Sequence, residues 1–250
     1  MDSEETNITI DFNADLGEGA GEDELIMPLI TSCNIACGGH YGTAGTMRNA
    51  ILLAQRNRVK IGAHPSFPDT DNFGRKLLTL TKQELKETVS NQVLRFYDVA
   101  DREKAEVHHV KLHGALYNYA ASDAATADAV VEAVLSTNRR PRLYVPHGSV
   151  LHKKAENLLP LSFEAFLDRN YTETGSLVPR DQPGAIINSP ERVWQQLVNI
   201  AVNNKVILPS GKIISLRATT FCIHGDNPHS VAILRYLHDS LENSPLVLDR

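Results

Sequence analysis

The sequence predicts an α/β fold, a (β/α) barrel of parallel strands with an active site at the strands' C-terminal ends. Three observations lead there. Short β-branched or apolar runs alternate with longer helical patterns along the chain, the signature of βαβ units and a parallel sheet. Eight runs read as strands, which suits a closed barrel better than a doubly wound sheet. Five of these runs are apolar on one face and turn ionisable at the end of the other. A barrel enzyme builds its site at that mouth.

Each element has its own justification. The first strand, Ile8–Asn13, sets Ile8, Ile10 and Phe12 against Asp11 and Asn13, with Asp15 continuing the polar face. After the helix Glu22–Ile30, the strand Ser32–Cys37 opposes Ile35 and Cys37 to Asn34, Ala36, Gly38 and His40. The helix Thr43–Asn57 leads to Lys60–Ala63, where Ile61 and Ala63 oppose Gly62 and His64. Thr81 and Glu84 are spaced as a capping box at the start of the helix Thr81–Glu103. In His108–His113, Val110 and Leu112 oppose Lys111 and His113, with His109 deeper on the same face. The helix Ala121–Ser136, strand Arg142–Val145, helix Val150–Asn157 and strand Leu161–Phe166 continue the alternation. Ala185–Ile187 reads as a further strand, and Ser189-Pro190 caps and opens the helix Pro190–Asn204. Lys205–Arg217 reads as a hairpin insertion turning at Pro209-Ser210-Gly211. The strand Thr219–His224 follows, opposing Phe221 and Ile223 to Cys222 and His224, and the helix Pro228–Leu241 comes last. Residues 1–7 read as a flexible tail on one domain spanning 1–250.

Composition excludes several classes. The 250 residues are 42% hydrophobic and 22% charged, enough for a large core and unlike a disordered chain. A net charge of −5 with scattered basic residues argues against nucleic acid or anionic lipid. The acidic start MDSEETN is no secretory signal, and no apolar run nears the roughly 20 residues of a membrane span. Cys33, Cys37 and Cys222 form neither a disulfide framework nor a zinc spacing, so a reducing cytoplasm is expected. A homo-oligomer is compatible with all of this. No phosphate-cradling G-x-x-x-x-G-K-[ST] and no G-x-G-x-x-G after a strand is present, and no serine or cysteine sits in a nucleophile elbow.

The mouth residues each have a working and a plain reading. Asp15 is a general base or metal ligand, or else a helix cap; Glu18 could simply be solvated. His40 and His64 could be ligands, or buried neutral rings bonded to carbonyls. Lys111, beside His113, needs an anionic partner, which is a ligand or a salt bridge to Asp15 or Glu164. Arg75, Arg169 and Arg180 are candidate carboxylate anchors, or loop ties, and Asn13 shares the face of Asp15. Asp226 could orient His224 by accepting its ring proton, cap the following helix, or both.

The segments NADLGE, NIACGGH, GAHPSFPD, FGR, KLHGALYN, LVPR-x-QPGA and IHGD-x-PH, in this order and spacing, closely resemble the LamB/YcsF family. The resemblance runs from about Ile10 to Leu241; Gly39, Tyr41 and Leu112 depart from the common pattern beside the site. It implies a distorted (β/α) barrel similar to that of polysaccharide deacetylases. It also implies membership of an ATP-dependent 5-oxoprolinase that opens 5-oxo-L-proline to L-glutamate with partner subunits B and C and with ATP and magnesium. Deacetylases of this kind hold a divalent metal with a first-strand Asp and two His, which maps onto Asp15, His40 and His64. Asp15 or His64 would then be the base, with His113, His224 and Asp226 beside it, and Lys111 would meet an oxyanion or phosphate. Two other functions fit the residues. A carbohydrate deacetylase would stack sugars on Tyr41, Phe67, Phe73 and Tyr117. A non-catalytic carboxylate-binding protein would need the arginines but no base.

Overall fold

The computed structural model describes residues 7–250, so all but the last residue of the expected tail lies outside the described residues. In chain order the elements are β1 (Ile8–Leu16), α1 (Asp23–Ile26), β2 (Ser32–Ala36), α2 (Ala44–Asn57), β3 (Lys60–His64), α3 (Lys82–Arg102) and β4 (Val107–Lys111). Next come α4 (Gly114–Ala120), α5 (Ala124–Ser136), β5 (Arg142–Val145), α6 (Val150–Ala155), β6 (Leu161–Phe166) and α7 (Pro190–Asn203). The chain ends with β7 (Lys205–Ile207), β8 (Ile213–Ser215), β9 (Thr220–Cys222), α8 (Ser230–Leu241) and β10 (Leu246–Leu248).

Seven strands close a parallel barrel in the order β1–β2–β3–β4–β5–β6–β9, with β9 returning to β1. The long first strand serves two partners. Its start, Ile8–Ile10, pairs with β10, and Asp11–Asn13 pairs with β9. The expected strand Ala185–Ile187 is not a barrel stave. It lies in the β6–α7 connection, where Ile186 makes one antiparallel bridge to Arg169. β6 pairs directly with β9, which leaves this triplet outside the closed ring of seven strands. β7 and β8 form the antiparallel hairpin inserted before β9.

Local signals place the helices. Thr81 Oγ1 accepts from Glu84 N at 3.2 Å while Glu84 Oε2 accepts from Thr81 N at 2.8 Å, and Ser189 Oγ caps α7 through Arg192 N. The helix expected over 121–136 is α5, which starts only at Ala124 because Asp123 caps it by accepting from Thr126 N, and the short α4 before it was not expected.

The outward faces of the strands and the inward faces of the helices form the core. Ile10, Phe12, Ile61, Val110, Leu143 and Phe221 pack beneath helix residues such as Val89, Val93, Phe96, Leu197 and Ile233. Each such side chain contributes about 1.5–3 kcal/mol on burial. The barrel lumen differs from the apolar filling usual in (β/α) barrels. Asp11, Ser32, Thr220 and Tyr144 floor it, Asn13, Asn34, His109, Lys111 and Glu164 fill its middle, and Asp15 and His64 stand above. Gly62 makes room for this filling, since a Cβ there would run into the ring of His109.

Candidate active site

The barrel alternation delivers Asp15, His64 and Lys111 to the mouth from β1, β3 and β4. Loops that leave the strand ends add Glu18, His40, His113, Asp168 and His224. All of them except His224 are buried.

Hydrogen-bond partners fix the histidine tautomers. His64 Nδ1 lies 2.8 Å from the main-chain oxygen of Lys111, and His113 Nε2 lies 2.9 Å from that of Phe73. A carbonyl only accepts, so those two ring nitrogens carry hydrogen. In neutral rings His64 Nε2 and His113 Nδ1 therefore face each other as lone pairs across 3.0 Å. Asp15 Oδ2 stands 3.4 Å from His64 Nε2, and Glu18 Oε1 stands 3.3 Å from His113 Nδ1. Four acceptors around one point call for a cation, either a proton on His64 or a metal ion.

The electrostatics agree. Burial works against charge on His64, but Asp15 outweighs it and raises the His64 pKa. Burial lowers the pKa of His113, and brings that of His40 down to about 4 against the pull of Glu18. Asp15 is pushed up by burial but held well below the carboxylate range by His64 and Lys111. For Lys111 burial opposes the charge, and Asp15 and Glu164 more than restore it. Its ammonium contacts Asp15 Oδ1 at 2.9 Å, Asn13 Oδ1 at 3.2 Å and Cys222 Sγ at 3.1 Å. Glu164 Oε1 is a further 2.9 Å ion-pair contact without hydrogen-bond alignment.

The residues expected to hold a metal, Asp15, His40 and His64, fall into two overlapping groups. Ligand atoms of Asp15, His64 and His113 lie within 4.8 Å of one another, and so do those of Glu18, His40 and His113. His40 gives its Nε2 to Glu18 at 2.8 Å and stacks on His113 at 3.7 Å, so it supports the cluster from behind. The donor chemistry fits a divalent ion, with two imidazole nitrogens preset as acceptors and a carboxylate held ionised.

Several other expectations are corrected. The carboxylate that holds His224 is Asp168, which accepts from Nδ1 at 2.8 Å and from the backbone N at 3.2 Å. Asp226 instead faces Arg75 and Arg180. Arg169 is buried, with its guanidinium spent on the carbonyls of Val178 and Ala185, because its loop needs those oxygens satisfied. Asn13 is fully buried, donating to Thr220 Oγ1 and accepting from Asn34 and Lys111, so it lies beneath the site. Lys111 lies between the carboxylates of Asp15 and Glu164, the partners named in the salt-bridge reading. Of the four aromatics proposed for sugar stacking, Phe67 and Tyr117 are buried.

The sequence reading gives no catalytic part to Glu164 or Asp168. A signal for both is present, since the parity of β6 puts Ser162, Glu164, Phe166 and Asp168 on one face. Phe73 has none. It adopts φ 54, a conformation costing a bulky residue about 1–3 kcal/mol. The turn is closed by Gly74 N on Asp69 O at 2.7 Å, and it aims the Phe73 carbonyl at His113 and the ring edge at His40.

The comparisons with known proteins agree with the family resemblance and the fold. The LamB/YcsF family model matches residues 10–249. Proteins named as the A subunit of 5-oxoprolinase, from Haemophilus influenzae strains PittEE and 86-028NP, are each 39% identical over 236 residues. Those alignments cover 94% of this chain and 96% of each relative. The crystal structure of a lactam utilization protein from Thermus thermophilus superposes with a TM-score of 0.89 at 36% identity, covering 96% of this chain and 99% of that one. A family 4 carbohydrate esterase from Streptomyces lividans, at 10% identity and a TM-score of 0.54 over 98% of this chain and 93% of that one, shares the fold alone. With nearly its whole length matched by the family model, the chain belongs to the LamB/YcsF family.

Proposed function

We propose that this chain is the A component of an ATP-dependent 5-oxoprolinase, working with subunits B and C on 5-oxo-L-proline. The observation that carries the reading is the clustering of Asp15, His64 and His113, with Glu18 beside His113 and the Asp168-held His224 beside Asp15. The names of the Haemophilus and Thermus relatives support the lactam, and the word subunit in the former supports the partners.

The lactam carbonyl is a poor electrophile. Transfer of the ATP γ-phosphoryl group to the lactam oxygen makes its carbon open to water; the ring C–N bond then breaks and its electrons take a proton. One water opens the ring and one is consumed in releasing phosphate, giving L-glutamate, ADP and phosphate. His224 is placed to move the protons, since Asp168 fixes Nδ1–H and leaves Nε2 as the basic nitrogen. Asp15, His64 and His113 would hold a divalent ion, which supplies Lewis acidity toward a carbonyl or water. Lys111 keeps Asp15 ionised. Magnesium-ATP belongs to the assembled enzyme, and the nucleotide is met together with the partners.

The test is glutamate and ADP production from 5-oxoproline by the chain alone and by the assembly with B and C, with elemental analysis of chelator-free protein. The expected result is coupled turnover only in the assembly and a transition metal near stoichiometry. An assembly that releases no 5-oxoproline-dependent ADP overturns the activity, and steady ATP-dependent glutamate production by the single chain overturns the need for partners.

A further inference from the structure

Asp226 sits where an anion would be expected to come from outside. It accepts from Arg75 Nη2 at 2.5 Å and from Arg180 Nη1 and Nη2 at 2.8 and 3.3 Å. Arg75 rises from the β3–α3 loop and Arg180 from the β6–α7 loop, so the two guanidiniums approach one carboxylate from loops on different sides of the mouth. Two cations on one anion leave a net positive charge. The groups are also wet: their side chains are 43%, 28% and 29% exposed for Arg75, Arg180 and Asp226. Part-exposed pairs of this kind are weak in water, weak enough for a ligand to displace.

The surroundings tie this latch to the chemistry. Arg180 and Asp226 line a cleft of about 180 Å³ together with Asp168, the carboxylate that holds His224. Arg75 lies 5.0 Å over the ring of Phe73, whose carbonyl fixes His113. Arg169, in the same cleft wall, is already consumed by loop carbonyls.

We propose that Arg75 and Arg180 form the carboxylate anchor of the site, and that Asp226 is a built-in occupant that yields to the carboxylate of the substrate. A planar fork on each arginine suits two-point recognition of a carboxylate, and the net positive charge of two arginines on one aspartate favours the added negative charge of such a ligand. The internal carboxylate would keep the arginines ordered in the empty site and favour ligands that carry an anion over neutral lactams. The identity of the ligand rests on the 5-oxoprolinase reading, while the anchor itself does not.

The experiment is calorimetric binding to the full chain of three probes. They are 5-oxo-L-proline, 2-pyrrolidinone (lactam without carboxylate) and cyclopentanecarboxylate (carboxylate without lactam). For Asp226→Asn, which removes the competitor, the two carboxylate probes should bind about three- to fivefold tighter and 2-pyrrolidinone should not change. Arg180→Ala and Arg75→Ala should each weaken the carboxylate probes about tenfold or more, again without moving 2-pyrrolidinone. Unchanged or weaker carboxylate binding in Asp226→Asn, equal tightening of all three probes, or no binding of any probe overturns the anchor. If cyclopentanecarboxylate tightens while 5-oxo-L-proline binds no form of the protein, the lactam reading fails and the anchor stands.

Discussion

Asp11 and Asp15 lie on the same strand and the same face, four residues apart, yet the floor and the mouth of the lumen treat them in opposite ways. Asp11 accepts from the hydroxyls of Thr31, Ser32 and Thr220 at 2.6–2.7 Å and from Tyr144 at 3.3 Å, all neutral donors. Asp15 is held by Lys111, His64 and Asn34, two of them able to carry charge, with Glu18 and Glu164 crowding the same space. A floor built this way is satisfied and static. A mouth built this way is a set of buried charges whose balance changes when one proton or one ion moves. Buried polar groups with complete neutral partners stabilise a fold; buried charges with shared partners serve chemistry at some cost in stability.

Two substitutions sharpen that contrast. The larger effect is expected at His224, the mouth histidine with a preset basic nitrogen: His224→Ala in the assembled enzyme should lower kcat by about 10²–10⁴-fold with little change in Tm. Wild-type kcat in that variant would remove His224 from the proton transfers. Next comes Lys111→Met, which strands the buried carboxylates of Asp15 and Glu164 without their shared cation. Unfolding by denaturant should show a loss of about 3–5 kcal/mol. A loss under about 1 kcal/mol would mean that the triad is not the electrostatic keystone of the lumen.

Much of this was legible in the sequence, for physical reasons that can be named. The period-two alternation of β1 put Ile10 and Phe12 in the core and Asp11, Asn13 and Asp15 in the lumen, and Thr81 with Glu84 announced the start of α3. Pattern could not separate Asp11 from Asp15, because the difference lies in Thr31, Ser32 and Thr220, which come from other parts of the chain. The same limit governed the pairing of His224: Asp226 is two residues away in sequence, but Asp168 is the one in contact. Arg169 looked as free as Arg180 until its loop folded back and used its donors. Ala185–Ile187 carried strand-like residues but pairs only with the loop around Arg169, not with a barrel strand, and the short β10 at the C-terminal edge was missed because only Leu246 of its three residues is buried.

The most direct test of the division between floor and mouth compares Asp15→Asn with Asp11→Ala in the assembled enzyme, measuring kcat and Tm for both. Asp15→Asn should cut turnover by at least about 10²-fold and also lower Tm, because Lys111 and His64 lose a carboxylate that they hold ionised in the folded chain. Asp11→Ala strips an acceptor from four buried hydroxyls and should cost about 2–4 kcal/mol, a fall of about 10 °C, with kcat near wild type at temperatures where the fold survives. Undiminished turnover in Asp15→Asn, or a fall in kcat in Asp11→Ala as large as in Asp15→Asn, would contradict the assignment of the mouth as the working site.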